Sequence, residues 1–176
     1  MKNLLFDKNI TPINTEKFFL VKNSYNTSVE LHFKQTVSSY SPYPILTDRI
    51  EYINGFASKL LQIENKSVLI IGLGLGLMAT YLQDKCPLIH IVELEQELID
   101  IIQSNSYLSS NVTIFQGDIY TYITDEKYDL IVNDIYWDIN DQFNINNQYL
   151  VSKFSNWLNP DGYIYTPIIG QYFKAS

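Results

Sequence analysis

Cysteine and long apolar runs are scarce in this sequence. It contains one cysteine, Cys86, which excludes an internal disulfide and a zinc site built from several cysteines. We expect no metal site. No run of about 18 apolar residues occurs, so we expect no membrane span and no membrane partner. The opening "MKNLLFDKNITPIN" has too short an apolar stretch for a signal peptide, and a cytoplasmic location is the expectation.

Basic residues are also few. The 176-residue chain has 12 Lys and Arg against 19 Asp and Glu, a net charge of −7. A chain with a net negative charge is not attracted as a whole to the negative phosphate backbone of a nucleic acid. We therefore expect no nucleic acid among its partners. Hydrophobic residues make up 46% and charged residues 18%, as in a globular chain of about one domain.

The chain divides into an extended segment, residues 1–46, and a larger domain, residues 47–176. "FFLVKNSYNTSVELHF" surrounds a turn-prone "NSYN" with β-branched and aromatic residues, which predicts a β-hairpin. A helix is predicted to begin near Thr47 or Asp48 and to place one apolar face inward, formed by Ile50, Ile53, Ala57, Leu60 and Leu61.

Strand and helix patterns alternate through the larger domain. Five strands are predicted, in the stretches "SVLIIG", "LIHIVEL", "VTIFQGD", "YDLIVND" and "YIYTPII". Helical stretches separate most of them, and this order predicts an α/β fold with a mainly parallel sheet and helices on both faces. Only "GQYFKAS" follows the fifth strand, so we expect a sheet truncated there. Its bare edge predicts a homo-oligomer, most simply a dimer.

Three glycines, Gly72, Gly74 and Gly76, lie between the first strand and the next helix. They either make a tight turn or let the backbone approach a ligand at the carboxyl edge of the sheet. Glu93 ends the second strand, where a carboxylate can accept both hydroxyls of a ribose. Asp118 follows the third strand and, with the N–H of Ile119, can bind adenine. The three features together predict a nucleoside site.

The glycine pattern restricts the kind of nucleoside ligand that the loop could bind. A dinucleotide-binding loop requires Gly or Ala at the position of Leu77, and a phosphate-binding loop requires a lysine that is absent here. The motifs "VLIIGLGLG", "HIVELEQELID", "FQGDIYTYI" and "YDLIVND" resemble those of class I S-adenosylmethionine-dependent transferases. The likeness is greatest to the spermidine synthases, and it covers residues 66–134 well and 145–168 more loosely.

The resemblance implies a Rossmann-like fold and a cofactor, either S-adenosylmethionine or decarboxylated S-adenosylmethionine. By this likeness the glycine loop, including Leu73, borders the methionine or aminopropyl part. Glu93 and the adjacent Leu94 lie at the ribose, and Asp118 and Ile119 at the adenine. The resemblance also aligns Gln35 with a glutamine of the spermidine synthases that precedes the core, which makes Gln35 a candidate cofactor-binding residue.

Asp134, at the end of the fourth strand, is the candidate catalytic residue. In spermidine synthases the aspartate at this place binds the attacking amine and takes its proton, which suits a carboxylate. Leu75 stands where that family has an acid, and Trp137 replaces its second aspartate. "NDIY", residues 133–136, is similar in part to the Asn-Pro-Pro-Tyr signature of amino-group methyltransferases.

These residues leave three functions open. The first is methyl transfer to a small-molecule acceptor, with amines among the candidates. The second is aminopropyl transfer to a diamine, which Asp134 favours and Leu75 disfavours. The third is a binding or assembly module that keeps the fold without turnover.

Overall fold

A computed structural model describes residues 5, 7–25, 27–34, 45–48, 60, 63–135, 141–166 and 171–174. The predicted helix after Asp48 lies almost wholly outside these residues. Thr47 belongs to a strand, and the carboxylate of Asp48 accepts hydrogen bonds from the backbone N–H groups of Leu5 and Val29, at 2.8 and 2.7 Å. Gln35 also lies outside the described residues.

The N-terminal segment forms a four-stranded antiparallel sheet in the order β1-β2-β3-β4. The predicted hairpin is confirmed, with Phe18 opposite Phe33 at its open end and Asn23 opposite Ser28 at its turn. The strands are β1 (Ile13–Asn14), β2 (Phe18–Asn23), β3 (Ser28–Phe33) and β4 (Ile45–Thr47).

The remaining strands form a six-stranded sheet in the order β10-β9-β8-β5-β6-β7. Strands β5 to β9 run parallel to one another, as the alternating pattern predicts, and the strand order reverses at β5. The strands are β5 (Ser67–Ile71), β6 (Leu88–Glu93), β7 (Val112–Gln116), β8 (Tyr128–Asn133), β9 (Leu158–Thr166) and β10 (Gln171–Lys174); the helices are α1 (Leu77–Leu82), α2 (Gln96–Ser104) and α3 (Asp141–Ser155).

Truncation after the fifth strand is wrong. β10 pairs antiparallel with β9, from Gln171 opposite Thr166 to Lys174 opposite Tyr163. Four residues are enough to form this strand, because each of them pairs with a residue of β9. The edge on which the predicted dimer depended is therefore covered within the chain, and the dimer stays a prediction without that support. Residues 159–162, "NPDG", form an irregular stretch of β9 in which Asp161 has a φ of 66°.

Alternate residues of β5 face opposite layers of the core. Val68 and Ile70 pack with α1, α2 and the N-terminal sheet, whereas Leu69 and Ile71 pack with α3. Helices therefore cover both faces, as predicted. Because successive side chains of a strand point to opposite sides, an unbroken apolar run is buried on both. Burial of each such side chain is worth about 1.5–3 kcal/mol.

Asp129 links three neighbouring strands of the large sheet. Its carboxylate accepts hydrogen bonds from the backbone N–H and hydroxyl of Ser67, at 2.8 and 2.9 Å, and from the side-chain amide of Asn159, at 3.0 Å. Partial burial acts to raise the pKa of Asp129, but these hydrogen bonds prevail and hold it below its ordinary value.

Candidate cofactor site

A cavity of about 500 Å³ opens at the carboxyl ends of the central strands. This is within the usual size range of small-molecule sites. Gly72, Glu93, Asp118 and Asp134, which follow or end β5, β6, β7 and β8, all line it. The structure thus brings together one predicted residue from each of four strand ends.

The glycine loop has left-handed backbone at all three glycines, with φ of 94°, 51° and 66° at Gly72, Gly74 and Gly76. A Cβ at Gly72 would lie 2.9 Å from the carbonyl oxygen of Asp134, too close for any side chain. A Cβ at Gly74 would lie 3.1 Å from Leu46. Contacts within the protein therefore account for part of the need for glycine, and the roles of Gly74 and Gly76 at a ligand stay predictions.

Glu93 is 9% exposed and holds the glycine loop. Its Oε2 accepts the N–H of Leu73 at 2.8 Å, and its Oε1 accepts the N–H of Glu95 at 2.9 Å. The carboxylate is thus oriented by backbone N–H groups from two loops, the glycine loop and the connection between β6 and α2. Each oxygen has a second lone pair, so it can still accept a ribose hydroxyl.

Asp118 and Ile119 line the cavity at the end of β7. Asp118 Oδ1 accepts the N–H of Tyr120 at 2.9 Å, which fixes the turn that follows. The carbonyls of Ile119 and Tyr120 each accept Lys153 Nζ at 2.8 Å. Burial lowers the pKa of Lys153, while the nearby Asp118 opposes this.

Asp134 is half-buried at the end of β8, and its N–H donates to the carbonyl of Ile71 at 3.0 Å. This hydrogen bond places it beside the start of the glycine loop. The preceding Asn133 is 1% exposed. Tyr136, the last residue of "NDIY", and Trp137 lie outside the described residues.

The three leucines near the site have different environments. Leu75, at the position where spermidine synthases have an acid, is 2% exposed, and its carbonyl accepts the hydroxyl of Tyr107 at 2.7 Å. Leu73 is buried as well and contributes its N–H to Glu93. Leu94 is 56% exposed and lines the cavity.

The sequence analysis missed one wall of the cavity. Lys17, Phe18 and Phe33, all from the N-terminal sheet, line it opposite the strand ends. Lys17 Nζ lies 2.6 Å from Glu95 Oε2, and this hydrogen-bonded ion pair raises the pKa of Lys17. No local pattern signals this wall, because it depends on pairing between residues about 80 positions apart in sequence.

His90 lies within β6 and is partly buried. Its Nδ1 lies 2.8 Å from the hydroxyl of Tyr128, and its ring packs edge-on against Phe115. Burial lowers the pKa of His90. Among the described residues there is no group of three or more acidic, histidine or cysteine side chains placed to hold a metal, and no helix long and apolar enough to cross a membrane.

The cavity fits an S-adenosyl cofactor. Glu93 and Asp118 offer hydrogen-bond acceptors, and Leu94, Ile119 and Phe33 offer apolar surface. The assignment of Glu93 to the ribose and of Asp118 to the adenine stays a prediction. The fold supports this. Phosphoethanolamine N-methyltransferase 1 of Haemonchus contortus, solved with phosphoethanolamine and S-adenosylhomocysteine, superposes with a TM-score of 0.55 at 25% identity, over 66% of this chain and 25% of that chain. The chain has the fold of the class I S-adenosylmethionine-dependent methyltransferases.

The family is more specific than the fold. The model of the ribosomal RNA adenine dimethylase family matches residues 44–176, and the chain belongs to this family. The predicted likeness to class I S-adenosylmethionine-dependent transferases is thereby confirmed.

Two curated relatives match parts of the chain. A ribosomal RNA small subunit methyltransferase A of Syntrophus aciditrophicus is 32% identical over 59 residues, 34% of this chain and 21% of the relative. A probable polyamine aminopropyl transferase of Bifidobacterium longum is 29% identical over 117 residues, 63% of this chain and 26% of the relative. The matches thus span about a fifth and a quarter of these proteins.

The expectation that nucleic acid is not a partner is wrong. It depended on the net charge of the chain, and the family and the ribosomal RNA methyltransferase relative overturn it.

Proposed function

We propose that the chain is an S-adenosylmethionine-dependent methyltransferase domain whose acceptor is the exocyclic amine of an adenine in RNA. The family match over residues 44–176 carries this proposal. The cavity supports it, because carboxylates from three successive strand ends, Glu93, Asp118 and Asp134, border one space with the glycine loop. In this proposal the acceptor is an amine, which the sequence analysis includes among the candidates, but the amine belongs to a base of RNA and not to a small molecule.

Glu93 and Asp118 bind the ribose and the adenine of the cofactor in this proposal. Bound S-adenosylmethionine supplies a methyl group on a positively charged sulfur. Asp134, beside the start of the glycine loop, accepts a hydrogen bond from the acceptor amine and takes up the proton that the amine releases. A carboxylate is suited to both steps, since it is an acceptor that becomes a neutral acid.

Aminopropyl transfer is the second candidate, favoured by the polyamine aminopropyl transferase relative. The environment of Leu75 argues against it. A side chain that is 2% exposed among core residues offers no charge to the ammonium end of an aminopropyl donor. For this reason we propose S-adenosylmethionine rather than its decarboxylated form as the cofactor.

Product analysis with two donors and two acceptors tests the proposal. The protein is incubated with S-adenosylmethionine or its decarboxylated form, and with unmethylated small-subunit ribosomal RNA or putrescine. Nucleosides and small products are then separated and identified by mass. We expect N6-methylated adenosine and S-adenosylhomocysteine from the first donor with RNA.

Two other outcomes would each contradict this proposal. Formation of 5′-methylthioadenosine with putrescine would replace methyl transfer by aminopropyl transfer. Binding of S-adenosylhomocysteine with no methylated RNA would favour a module that keeps the fold without turnover. Asp134→Asn is the control, since it preserves shape but cannot accept a proton.

A further inference from the structure

The wall contributed by the N-terminal sheet lies outside the family match. Lys17, Phe18 and Phe33 all precede residue 44, where the match begins, yet they line the same cavity as Glu93 and Asp118. Family membership therefore assigns these three residues no role.

The two phenylalanines are placed differently. They face each other across β2 and β3, with ring centroids 5.1 Å apart and an interplanar angle of 79°. Phe18 is 3% exposed and belongs to the core. Both line the cavity, but Phe33 is only partly buried against that core, so its ring is the more accessible of the two to a ligand.

Acidic residues at the start of α2 hold the wall in place. Glu97 Oε2 accepts the hydroxyl of Thr15 at 2.6 Å and the N–H of Lys17 at 3.2 Å. Glu95 pairs with Lys17 Nζ, and the N–H of Glu95 donates to Glu93. A short series of hydrogen bonds thus joins the wall to the carboxylate assigned to the ribose.

We propose that Phe33 contacts the bound S-adenosyl cofactor, and that Lys17 is a positioning residue that keeps Phe33 against it. This inference rests on the proposed function. The ligand is a nucleoside with flat, weakly polar faces, and an aromatic ring offers such a face a large contact area without requiring a hydrogen bond. The N-terminal sheet is then part of the cofactor site.

Phe33→Leu and Phe19→Leu form a matched pair for the test. Phe19 lies on the same hairpin but on its other face, where its ring stacks on His32 at 4.3 Å. Affinity for S-adenosylhomocysteine is measured by calorimetry, without acceptor. We expect Phe33→Leu to weaken binding about tenfold, as loss of an aromatic contact does, and Phe19→Leu to change it less than about twofold.

A fluorescent variant reports the contact more directly. Phe33→Trp should change its emission when S-adenosylhomocysteine is added, relative to wild-type protein, whereas Phe19→Trp should not. This pair retains an aromatic ring at each position, so it also serves if Phe33→Leu does not fold.

Lys17→Met tests the positioning role. The ion pair is more than one-third exposed, so we expect only about a threefold rise in the KM for S-adenosylmethionine, with kcat unchanged and the rise abolished in Lys17→Arg. A purely structural role would lower the melting temperature and leave the KM unchanged, which would contradict the assignment of Lys17.

The outcomes separate the two proposals. Wild-type protein that binds no S-adenosylhomocysteine would overturn the proposed function, and this inference with it. Normal binding by both Phe33 variants, with no emission change in Phe33→Trp, would overturn the inference alone.

Discussion

Glu93→Gln tests the proposed cofactor site most directly, because the side chain serves the fold and the ligand at once. Its two oxygens accept the N–H groups of Leu73 and Glu95 at 2.8 and 2.9 Å. Glutamine keeps the shape and one acceptor oxygen, but its amide nitrogen would face one of these N–H groups, donor against donor. A buried donor left without an acceptor costs about 1–3 kcal/mol.

Two effects are therefore expected. The melting temperature should fall by about 2–12 °C, since 1 kcal/mol corresponds to about 2–4 °C in a chain of this size. Affinity for S-adenosylhomocysteine should also fall, by about tenfold to a hundredfold. The reason is that the loss of a charged hydrogen bond to the ribose costs about 1.5–3 kcal/mol. Differential scanning calorimetry and isothermal titration measure the two quantities separately.

Glu126→Gln is the matched control. It makes the same chemical change at an exposed residue that does not line the cavity, so both quantities should stay near their wild-type values. If Glu93→Gln melts earlier but binds S-adenosylhomocysteine as well as wild type, Glu93 only supports the loop and the ribose assignment is refuted.

Three further predictions follow from the same geometry. Gly72→Ala should lower the free energy of unfolding in urea by about 1–3 kcal/mol, because its Cβ would lie 2.9 Å from the carbonyl oxygen of Asp134 at a residue whose φ is 94°. Gly117→Ala is the control, since its Cβ would have its nearest contact at 3.8 Å and should change stability little. Equal effects of the two substitutions would contradict the steric reasoning. Asp134→Asn should keep affinity for S-adenosylhomocysteine and lower the turnover rate by about 10²–10⁴; unchanged turnover would remove Asp134 from the chemistry. The pKa of Asp129 is depressed on folding, so its stabilisation is complete above the unfolded value of about 3.9 and is lost as pH falls through the folded value; acid titration of stability should show this loss in wild type and not in Asp129→Asn.

The parts of the fold that local pattern determines were predictable. Continuous apolar runs such as the one containing Val68 and Leu69 specify strands buried on both faces, and acids at strand ends converge because parallel strands share a carboxyl edge. β10 was not predictable in the same way. Its four residues have no pattern of their own, and their conformation follows from pairing with β9.

The wall formed by the N-terminal sheet illustrates the same limit at the site. Thr15 and Glu97 meet at 2.6 Å across 82 positions of sequence, and neither residue type is unusual where it stands. Phe33 lies on the same face of β3 as Leu31, two positions earlier, as in any half-buried strand. Only the docking of the sheet on α2 brings its ring to the cavity, so the contribution of this segment required the tertiary structure.

Net charge failed as a guide to the partner because it is a sum over the whole chain, whereas recognition is local. Lys17, which lines the cavity, pairs with Glu95, and Lys153 donates to the carbonyls of Ile119 and Tyr120 at its edge. Under the proposed function, neutralisation of phosphates by these lysines therefore contributes little to RNA binding. Under the same proposal, one adenine is distinguished from other bases by contacts to the base itself, because contacts to phosphates carry no sequence information. Asp134 is suited to that task, since a carboxylate accepts from an amine and rejects the carbonyl that guanine or uracil would present in its place.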